Sequence, residues 1–471
     1  MQTAMTTRIE HDLLGDLAVP AEAWYGIQTQ RALDNFAITG VPISHFPAFI
    51  RALAMVKKAA ALANRDLGAL AEVKADAIVA ACDDIIAGGL HDQFVVDLIQ
   101  GGAGTSTNMN ANEVIANLAL AKLGHARGEY HHLHPNDDVN RSQSTNDAYP
   151  TAVCLAVQFS AEPLERAILR LKSSLEAKGR AFADIVKMGR TQLQDAVPMT
   201  LGQEFEAFAV NLGEDVDRLH EVCQLLCEVN LGGTAIGTGI NTHPRYQALA
   251  VNYLAEVSGK PIVSASNLVE ASSDMGAFVL FSGILKRFAV KLGKMCNDLR
   301  LLSSGPRTGL GEIRLPPRQP GSSIMPGKVN PVIPEAVNQT AYQVIASDLA
   351  VTLAAEAGQL QLNAMEPMIV YNLLNAMKML EAACTMLDER CIQGIEANVD
   401  QCARHVDNSI GIITALVPHI GYANATRIAS QALHTGTTVR ELVLGEELLD
   451  ETTLDRLLSP QAMLSPAAVT S

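Results

Sequence analysis

The sequence has 471 residues, of which 48% are apolar, and a formal net charge of −15. This length allows about three domains, and the negative charge argues against nucleic acid and anionic membranes as partners, because both attract basic patches. No apolar run approaches the ~20 residues that a membrane-spanning helix needs. Residues 1–16 lack the apolar core of an export signal, so we expect a cytoplasmic protein.

Residues 1–145 form the first predicted domain, a mixed but mostly helical region with many turn residues. Near its end, His131, His132 and His134 suggest a metal cluster. Their spacing is not that of a helical pair and no cysteine is nearby, so we interpret them as solvated imidazoles in a turn. Two polar clusters, residues 101–108 and 142–147, lie at the edges of helical patterns.

Residues 146–400 form the second predicted domain, in which apolar residues recur every three or four positions. Such stripes, about twice the length of an average helix, occupy residues 205–226, 280–302 and 369–395. Two further helical patterns cover 156–185 and 334–357, and Pro163 either kinks the first of these or marks its start. Five long amphipathic helices predict a bundle, and their wide apolar faces favour a homo-oligomer.

Two more polar clusters interrupt this domain, at residues 189–195 and 321–331. The second, GSSIMPGKVNP, is rich in Gly and Pro and predicts a loop between helices. It is not a phosphate loop, because five residues separate its glycines and Val329 follows the lysine. Each cluster alone is typical of a helix cap or turn. Together, the four favour a site for a small anion such as a carboxylate.

Residues 401–471 form the third predicted domain, a small helical region with short helices expected at 439–449 and 453–458. The eight cysteines show no paired metal spacing. Cys384 and Cys391 fall on an apolar helical stripe, which predicts ordinary buried thiols; regulatory oxidation of an exposed cysteine is the alternative.

The four clusters together resemble the active-site segments of the aspartase/fumarase superfamily, in the same order, and the similarity covers nearly the whole chain. Residues 321–331 are similar to the superfamily signature. The resemblance implies a mainly α, three-domain fold with a central bundle of five long helices. It also implies a homotetramer in which three subunits build each active site around a small dicarboxylate.

Within the superfamily, the aspartate ammonia-lyases are favoured over the class II fumarases. Ala103 and Thr145 are similar to the lyases, whereas fumarases usually have Ser at both positions. Gln192 stands where fumarases, and some aspartases, have His, and residues 355–363 also favour the lyases. Segments 134–138, 241–244 and 367–372 resemble fumarases, so fumarate hydratase is the alternative. A scaffold without catalysis would require damage in the clusters, and none is visible.

The resemblance also implies the role of each site residue. Ser322 is the expected base, and no cofactor or metal is expected to be required, although activation by Mg²⁺ stays open. The residues expected to bind the substrate are Thr105, Ser144, Thr145 and Ser323 for the carboxylate that gains charge, Lys328, Thr191 and Asn330 for the other carboxylate, and Asn146 and Gln192 for the amino group.

Overall fold

The computed structural model of the chain describes residues 6–459 and 462–463 and is mainly α-helical. None of the helices in these ranges combines the length and apolarity needed to cross a bilayer. The helices are α1 (Ile27–Asn35), α2 (Pro47–Asp66), α3 (Glu72–Ile86), α4 (Thr105–Lys122), α5 (Thr145–Ala181), α6 (Leu201–Leu225), α7 (Tyr246–Ser258), α8 (Leu268–Ala271), α9 (Gly276–Leu302), α10 (Val332–Glu356), α11 (Glu366–Arg390), α12 (Val399–Asn408), α13 (Ile413–Thr435), α14 (Val439–Gly445) and α15 (Glu451–Leu457).

Short two-stranded sheets accompany the helices. The strands are β1 (Thr7–Asp12), β2 (Gly15–Pro20), β3 (Val186–Thr191), β4 (Gln194–Thr200), β5 (Glu228–Val229), β6 (Val263–Ser264), β7 (Ile313–Arg314) and β8 (Glu396–Ala397). Strands β1–β2, β3–β4 and β7–β8 pair antiparallel, whereas β5 and β6 pair in parallel. Residues 1–16 were predicted to contain no export signal. Of these, residues 7–12 form β1 and residues 15–16 begin β2, whereas residues 1–5 lie outside the described residues.

The chain contains two compact units. One consists of the described residues up to Glu165 together with 217–289 and 342–381. The other consists of residues 166–216 and 290–341 and the described residues from Ala382 onward. Each of the five long helices, α5, α6, α9, α10 and α11, has part of its length in each unit. The division of the sequence into domains 1–145, 146–400 and 401–471 stays a prediction.

Helices α6 and α11 bury the stripes that predicted them. Along α6, every stripe residue from Phe205 to Val222 is buried, and along α11 the same holds from Ile369 to Leu387. The predicted stripe 369–395 was too long, because the helix ends at Arg390 and a single 3₁₀ turn follows. On α9, Leu280 is 49% exposed rather than buried, because Phe281 and Leu285 occupy the core face there.

Helix α5 begins eleven residues before the predicted 156, so Pro163 does not mark its start. The earlier part was missed because Pro150 and the polar residues 145–147 interrupt the apolar pattern. A proline lacks the N–H that would bond to the carbonyl four residues earlier. For Pro150 that carbonyl is Asn146 O, and it accepts a hydrogen bond of 2.9 Å from Asn230 Nδ2 instead.

Polar contacts link α9 and α10 within each unit. In the first unit, Ser282 Oγ donates to Asp348 Oδ1 at 2.8 Å, and Lys286 Nζ lies 2.6 Å from Asp348 Oδ2. In the second, Asn338 Nδ2 donates to the carbonyl of Gly293 at 2.9 Å. The five long helices that the sequence predicted are thus α5, α6, α9, α10 and α11, and the mainly α fold is confirmed.

The C-terminal helices have their own apolar core. Leu416, Ile428, Val443 and Leu454 are among its fully buried side chains. Helices α14 and α15 lie where short helices were predicted, and α14 begins with a capping box between Thr438 and Glu441. The rest of the predicted domain, residues 460–461 and 464–471, lies outside the described residues.

Within the second unit, the buried carboxylate of Glu312 connects the β3–β4 hairpin to residues outside the hairpin. Glu312 has a fully buried side chain, and its oxygens lie 3.0 Å from Lys187 Nζ, 2.7 Å from Arg190 Nη1 and 2.8 Å from His405 Nδ1. Burial acts to raise the pKa of Glu312, but Lys187, His405 and Arg190 together outweigh it and hold that pKa below its ordinary value. The charged form is therefore the stabilising one.

We predict that Glu312→Gln lowers the free energy of unfolding by about 2 kcal/mol at neutral pH, because Arg190 and His405 lose a charged hydrogen-bond partner and Lys187 keeps only Glu204, at 2.5 Å. A carboxylate with a lowered folded pKa contributes stability above its unfolded pKa, near 4.5, and loses it as the pH falls through the folded value. The difference from wild type should therefore shrink below about pH 4.5.

The measurement is denaturant unfolding across that pH range, with Glu206→Gln as the matched control. Glu206 is an exposed residue of α6, so its amide variant should unfold like wild type. A pH-independent difference between Glu312→Gln and wild type would contradict the electrostatic role of Glu312.

Candidate active site

A left-handed turn places Thr105 at the start of α4. Gly102, Ala103 and Gly104 all have positive φ, of +88°, +54° and +89°. The Thr105 side chain is exposed and donates a 2.7 Å hydrogen bond to the carbonyl of Gly102. Thr105 therefore lies in an exposed position at the positive end of the α4 dipole.

The start of α5 presents the next predicted site residues. Ser144 Oγ accepts from the N–H of Asn146 at 3.2 Å, which caps the helix. Thr145 Oγ1 accepts from Asn108 Nδ2 at 3.2 Å. Asn108 lies one turn after Thr105 on α4, so the first turns of α4 and α5 are in contact.

Asp147 holds the first turn of α5 in place through hydrogen bonds to backbone N–H groups. The fully buried carboxylate accepts from Ser144 N at 2.9 Å and from the N–H groups of Gly232 and Thr234 at 2.9 and 3.0 Å. Burial raises the pKa of Asp147, although these N–H groups oppose the shift. Asp147 thus joins the cluster 142–147 to the turn 232–234.

Asn146 has a defined orientation for the same reason. Its Nδ2 donates to the carbonyl of Ala235 at 2.8 Å. Its Oδ1 accepts no hydrogen bond from the part of the chain that the structure describes. The Asn146 carboxamide therefore offers its acceptor oxygen and its second N–H to a ligand.

Thr191 and Gln192 lie at the exposed tip of the β3–β4 hairpin. Thr191 pairs with Gln194, which leaves Gln192 and Leu193 as a two-residue loop with φ of +54° and +62°. Positive φ at both positions is characteristic of a type I′ turn. Arg190, the neighbour of Thr191, carries the ion pair to Glu312 that anchors this hairpin.

Residues 321–331 form the predicted loop, and its two ends are hydrogen-bonded to each other. Gly321 N donates to the carbonyl of Lys328 at 2.7 Å, and Asn330 Nδ2 donates to the carbonyl of Gly321 at 2.8 Å. A Cβ on Gly321 would come within 2.8 Å of this backbone, so the closure requires glycine. Ser323 and Lys328 are exposed.

Ser322 has a specific environment inside this loop. Its Oγ accepts hydrogen bonds from the backbone N–H groups of Ile324, at 3.2 Å, and Met325, at 3.0 Å. Hydrogen-bond donors directed at a hydroxyl oxygen stabilise its ionised form.

The predicted site residues thus fall into two groups. Thr105, Ser144, Thr145 and Asn146 come together in the first unit, where hydrogen bonds connect their segments. The remaining six belong to the second unit: Thr191, Gln192, Ser322, Ser323, Lys328 and Asn330.

Sequence reasoning missed residues behind the first group. Asn108 and Asp147 lie in the recognised clusters, but no role was assigned to them. Lys57 was overlooked altogether, although a lysine within the apolar stretch of α2 is a usable signal. Its ammonium is fully buried and contacts Asn108.

Within the described residues, His125, Glu129 and His132 form a group whose potential metal-binding atoms lie within 4.8 Å of one another. The rings of His125 and His132 are stacked, with centroids 3.7 Å apart and planes 12° from parallel. Lone pairs of stacked imidazoles point in parallel directions and do not converge on one ion. Mg²⁺ prefers several oxygen ligands, and this group offers one carboxylate, so it does not fit Mg²⁺.

Of the three histidines predicted to be solvated in a turn, two are exposed and His134 is partly buried. His131 and His132 are exposed in a turn. His134 Nδ1 accepts from the N–H groups of Asn136 and Asp137 at 3.1 and 3.2 Å, so it caps the π-helical turn Pro135–Val139.

Comparison with known proteins gives similarities along the whole chain. A family model described as "Lyase" matches residues 15–346, and another, "Fumarase C C-terminus", matches residues 412–465. The aspartate ammonia-lyase of Pseudomonas aeruginosa is 63% identical over 470 residues, which cover 100% of this chain and 99% of the relative.

Two solved structures are similar in fold. A fumarate lyase:delta crystallin from Brucella melitensis, bound to cobalt, has a TM-score of 0.96 and 62% identity, covering 98% of this chain and 100% of its own. A class II fumarase from Schistosoma mansoni has a TM-score of 0.91 and 33% identity, covering 97% of this chain and 99% of the fumarase chain. The fold is thus shared by both kinds of enzyme, whereas the sequence is more similar to the lyases.

We predict that Gly104→Ala destabilises the protein far more than Gly124→Ala does. Both glycines flank α4 and have positive φ, which costs an alanine about 1 kcal/mol. A Cβ at Gly104 would also lie 2.5 Å from the Tyr149 ring, whereas a Cβ at Gly124 would meet no atom within 4 Å. Thermal unfolding of the two variants should show the difference, and equal melting temperatures would contradict a close Gly104–Tyr149 contact.

Proposed function

The chain belongs to the aspartase/fumarase superfamily, and we propose how its residues carry out the reaction of an aspartate ammonia-lyase. In this reaction ammonia is eliminated reversibly from L-aspartate to give fumarate. The observation that carries the assignment is the similarity to aspartate ammonia-lyases over the full chain, including the segments 101–108, 142–147 and 321–331. The chain is accordingly a carbon–nitrogen lyase that acts on a small molecule.

The difficult step is removal of a proton from the carbon beside a carboxylate. The electron pair of that C–H bond moves into the carboxyl group, which becomes a doubly charged aci-carboxylate. When the pair returns, the carbon–carbon double bond forms and the C–N bond breaks. Preorganised donors must therefore stabilise the extra charge on the carboxylate.

Thr105, Ser144, Thr145 and Ser323 are assigned to that carboxylate. The position of the first three supports this role, because they lie at the starts of α4 and α5, where the helix dipole favours negative charge. Thr145 Oγ1 already accepts a hydrogen bond from Asn108, so its own hydrogen is available to the substrate.

Ser322 is assigned as the base that takes the proton. A neutral serine hydroxyl is a weak base, so the reactive form must be the alkoxide. The N–H groups of Ile324 and Met325, which donate to Ser322 Oγ, support this assignment because they stabilise an alkoxide.

The other groups bind the remainder of aspartate. Lys328 supplies a fixed positive charge for the second carboxylate, with Thr191 and Asn330 as neutral donors. Asn146 and Gln192 hold the amino group, and the acceptor that Asn146 offers supports this placement. Neither amide changes its protonation state, so each orients the amine without acting as a general acid.

The active enzyme is proposed to be a homotetramer in which each active site takes residues from three subunits. In the single chain, Tyr342, Leu349 and Leu353 on α10 are 59%, 61% and 60% exposed. Their spacing of seven and four residues places them on one face of the helix. An exposed apolar face on a long helix is suited to packing against another subunit.

No cofactor is proposed to be required, because the chemistry assigned above needs only hydroxyls, amides and one lysine. Activation by Mg²⁺ stays open. No disulfide joins the eight cysteines, all of which lie within the described residues, as expected for a protein in the reducing cytoplasm, which is the proposed location.

Product analysis tests the assignment against fumarate hydratase, the alternative suggested by the fumarase-like segments. The purified protein is given fumarate with and without ammonium, and the products are identified by NMR. Aspartate that forms only when ammonium is present supports the lyase. Malate formed in its absence would overturn it.

Ser322→Ala is predicted to reduce kcat for aspartate at least a thousandfold, because the base is lost, with little change in KM. Lys328→Ala is the contrasting variant and should chiefly raise KM, because an anchoring charge is lost. Sedimentation equilibrium should find both variants in the same assembly as wild type. A Ser322→Ala enzyme with a kcat near that of wild type would exclude Ser322 as the base.

A further inference from the structure

Lys57 is a fully buried cation on α2 that faces three amide oxygens. Its Nζ lies 2.7 Å from Asn108 Oδ1, 2.9 Å from Asn140 Oδ1 and 2.8 Å from Gln143 Oε1. Three acceptors match the three N–H groups of an ammonium. Burial lowers the pKa of Lys57 to about 7, and the Asp147 carboxylate opposes that shift.

The contact with Lys57 determines how Asn108 is oriented. Because Asn108 Oδ1 faces the ammonium, its Nδ2 must point the other way, and it donates to Asn140 Oδ1 and to Thr145 Oγ1, both at 3.2 Å. Thr145 Oγ1 is therefore an acceptor on this side. Its hydrogen has to be directed elsewhere.

Helix α2 also holds the segment that leads into Thr145. Asn64, two turns after Lys57, donates to the carbonyl of Arg141 at 2.9 Å and accepts from Ser142 Oγ at 2.7 Å. Ser142 has a φ of +61°, a left-handed conformation that needs such support. The polar face of α2 thus supports the cluster 142–147 from behind.

We propose that Lys57 is a positioning residue for the lyase reaction. Its buried ammonium orients the Asn108 carboxamide, so that the Thr145 hydroxyl keeps its hydrogen for the substrate carboxylate. When it is protonated, Lys57 also polarises the hydrogen bond from the Asn108 amide to Thr145 and makes that hydroxyl a better donor. This role rests on the proposed function, in which Thr145 stabilises the aci-carboxylate.

The test is a double-mutant cycle with Lys57→Met and Thr145→Val, which are close in shape to the native side chains. In the native background, Lys57→Met should lower kcat by about tenfold to a hundredfold, somewhat less than the loss of a direct donor. In the Thr145→Val background, the same change should lower kcat by less than about threefold, because the hydroxyl through which it acts is gone. Equal losses in both backgrounds would overturn the proposal.

Lys58→Met is the matched control. Lys58 is the next residue on α2 but pairs with Asp83 on α3, at 2.5 Å. Its variant should keep the wild-type kcat. A loss as large as that of Lys57→Met would show that any lysine removed from α2 disturbs the enzyme, and would overturn the specific role.

Asn108→Asp tests the same idea if Lys57→Met does not fold. The carboxylate keeps an acceptor for Lys57 but has no N–H to donate, so the Thr145 hydroxyl should donate to residue 108 instead of to the substrate. A folded assembly with kcat reduced about as far as in Thr145→Val is expected, and the two changes should not be additive. A folded Asn108→Asp enzyme with wild-type kcat would overturn the proposal.

The wild-type product is identified first, so that failure of the two proposals can be distinguished. If the wild type forms malate from fumarate without ammonium, the lyase assignment fails. The cycle is then measured on that hydration, because the Lys57–Asn108–Thr145 contacts are the same and addition of water passes through the same kind of carbanion. If the effects of Lys57→Met and Thr145→Val on kcat are additive for the reaction that the enzyme does catalyse, the proposed role of Lys57 is overturned.

Discussion

The hydrogen bond from Asn108 Nδ2 to Thr145 Oγ1 joins two helix starts, and the first half of the candidate site depends on that junction. Helices α4 and α5 each bring a threonine hydroxyl to their first turn, at the positive end of the helix dipole. A carboxylate that gains a second negative charge needs several such donors at once, in fixed positions. Two neighbouring helix starts provide them without a mobile side chain having to be ordered during the reaction.

Several contacts that are distant from any substrate keep the two starts together. Gly104 lets the chain pass against the ring of Tyr149, and Asp147 ties the first turn of α5 to residues 232–234. Lys57 supports Asn108 from inside α2. The site is consequently precise because groups with no assigned chemical role are buried and hydrogen-bonded behind it.

Two of the buried charges in the described part of the chain are compensated by their neighbours. Glu312 is surrounded by Lys187, Arg190 and His405, and Lys57 by three amide oxygens with Asp147 nearby. The groups assigned to the substrate are different in kind, because most are neutral hydroxyls and amides, and Lys328 is exposed. A protein with a net charge of −15 can therefore act on a dicarboxylate through local donors, without a broad basic surface.

The sequence by itself determined the helical bundle, the loop at 321–331 and the family, because apolar periodicity and short polar motifs are local properties of a chain. It failed at particular places for physical reasons: the start of α5 was hidden by Pro150, whose missing hydrogen bond is replaced by Asn230 from far along the chain. Leu280 was assigned to the wrong face, because which side of a helix is covered depends on its neighbours. The roles of the ten site residues stay predictions. Only the tertiary structure decided that Lys57 stands behind Asn108 and Thr145, because that contact joins residues 51 and 37 positions apart, and no local pattern records a distance of that kind.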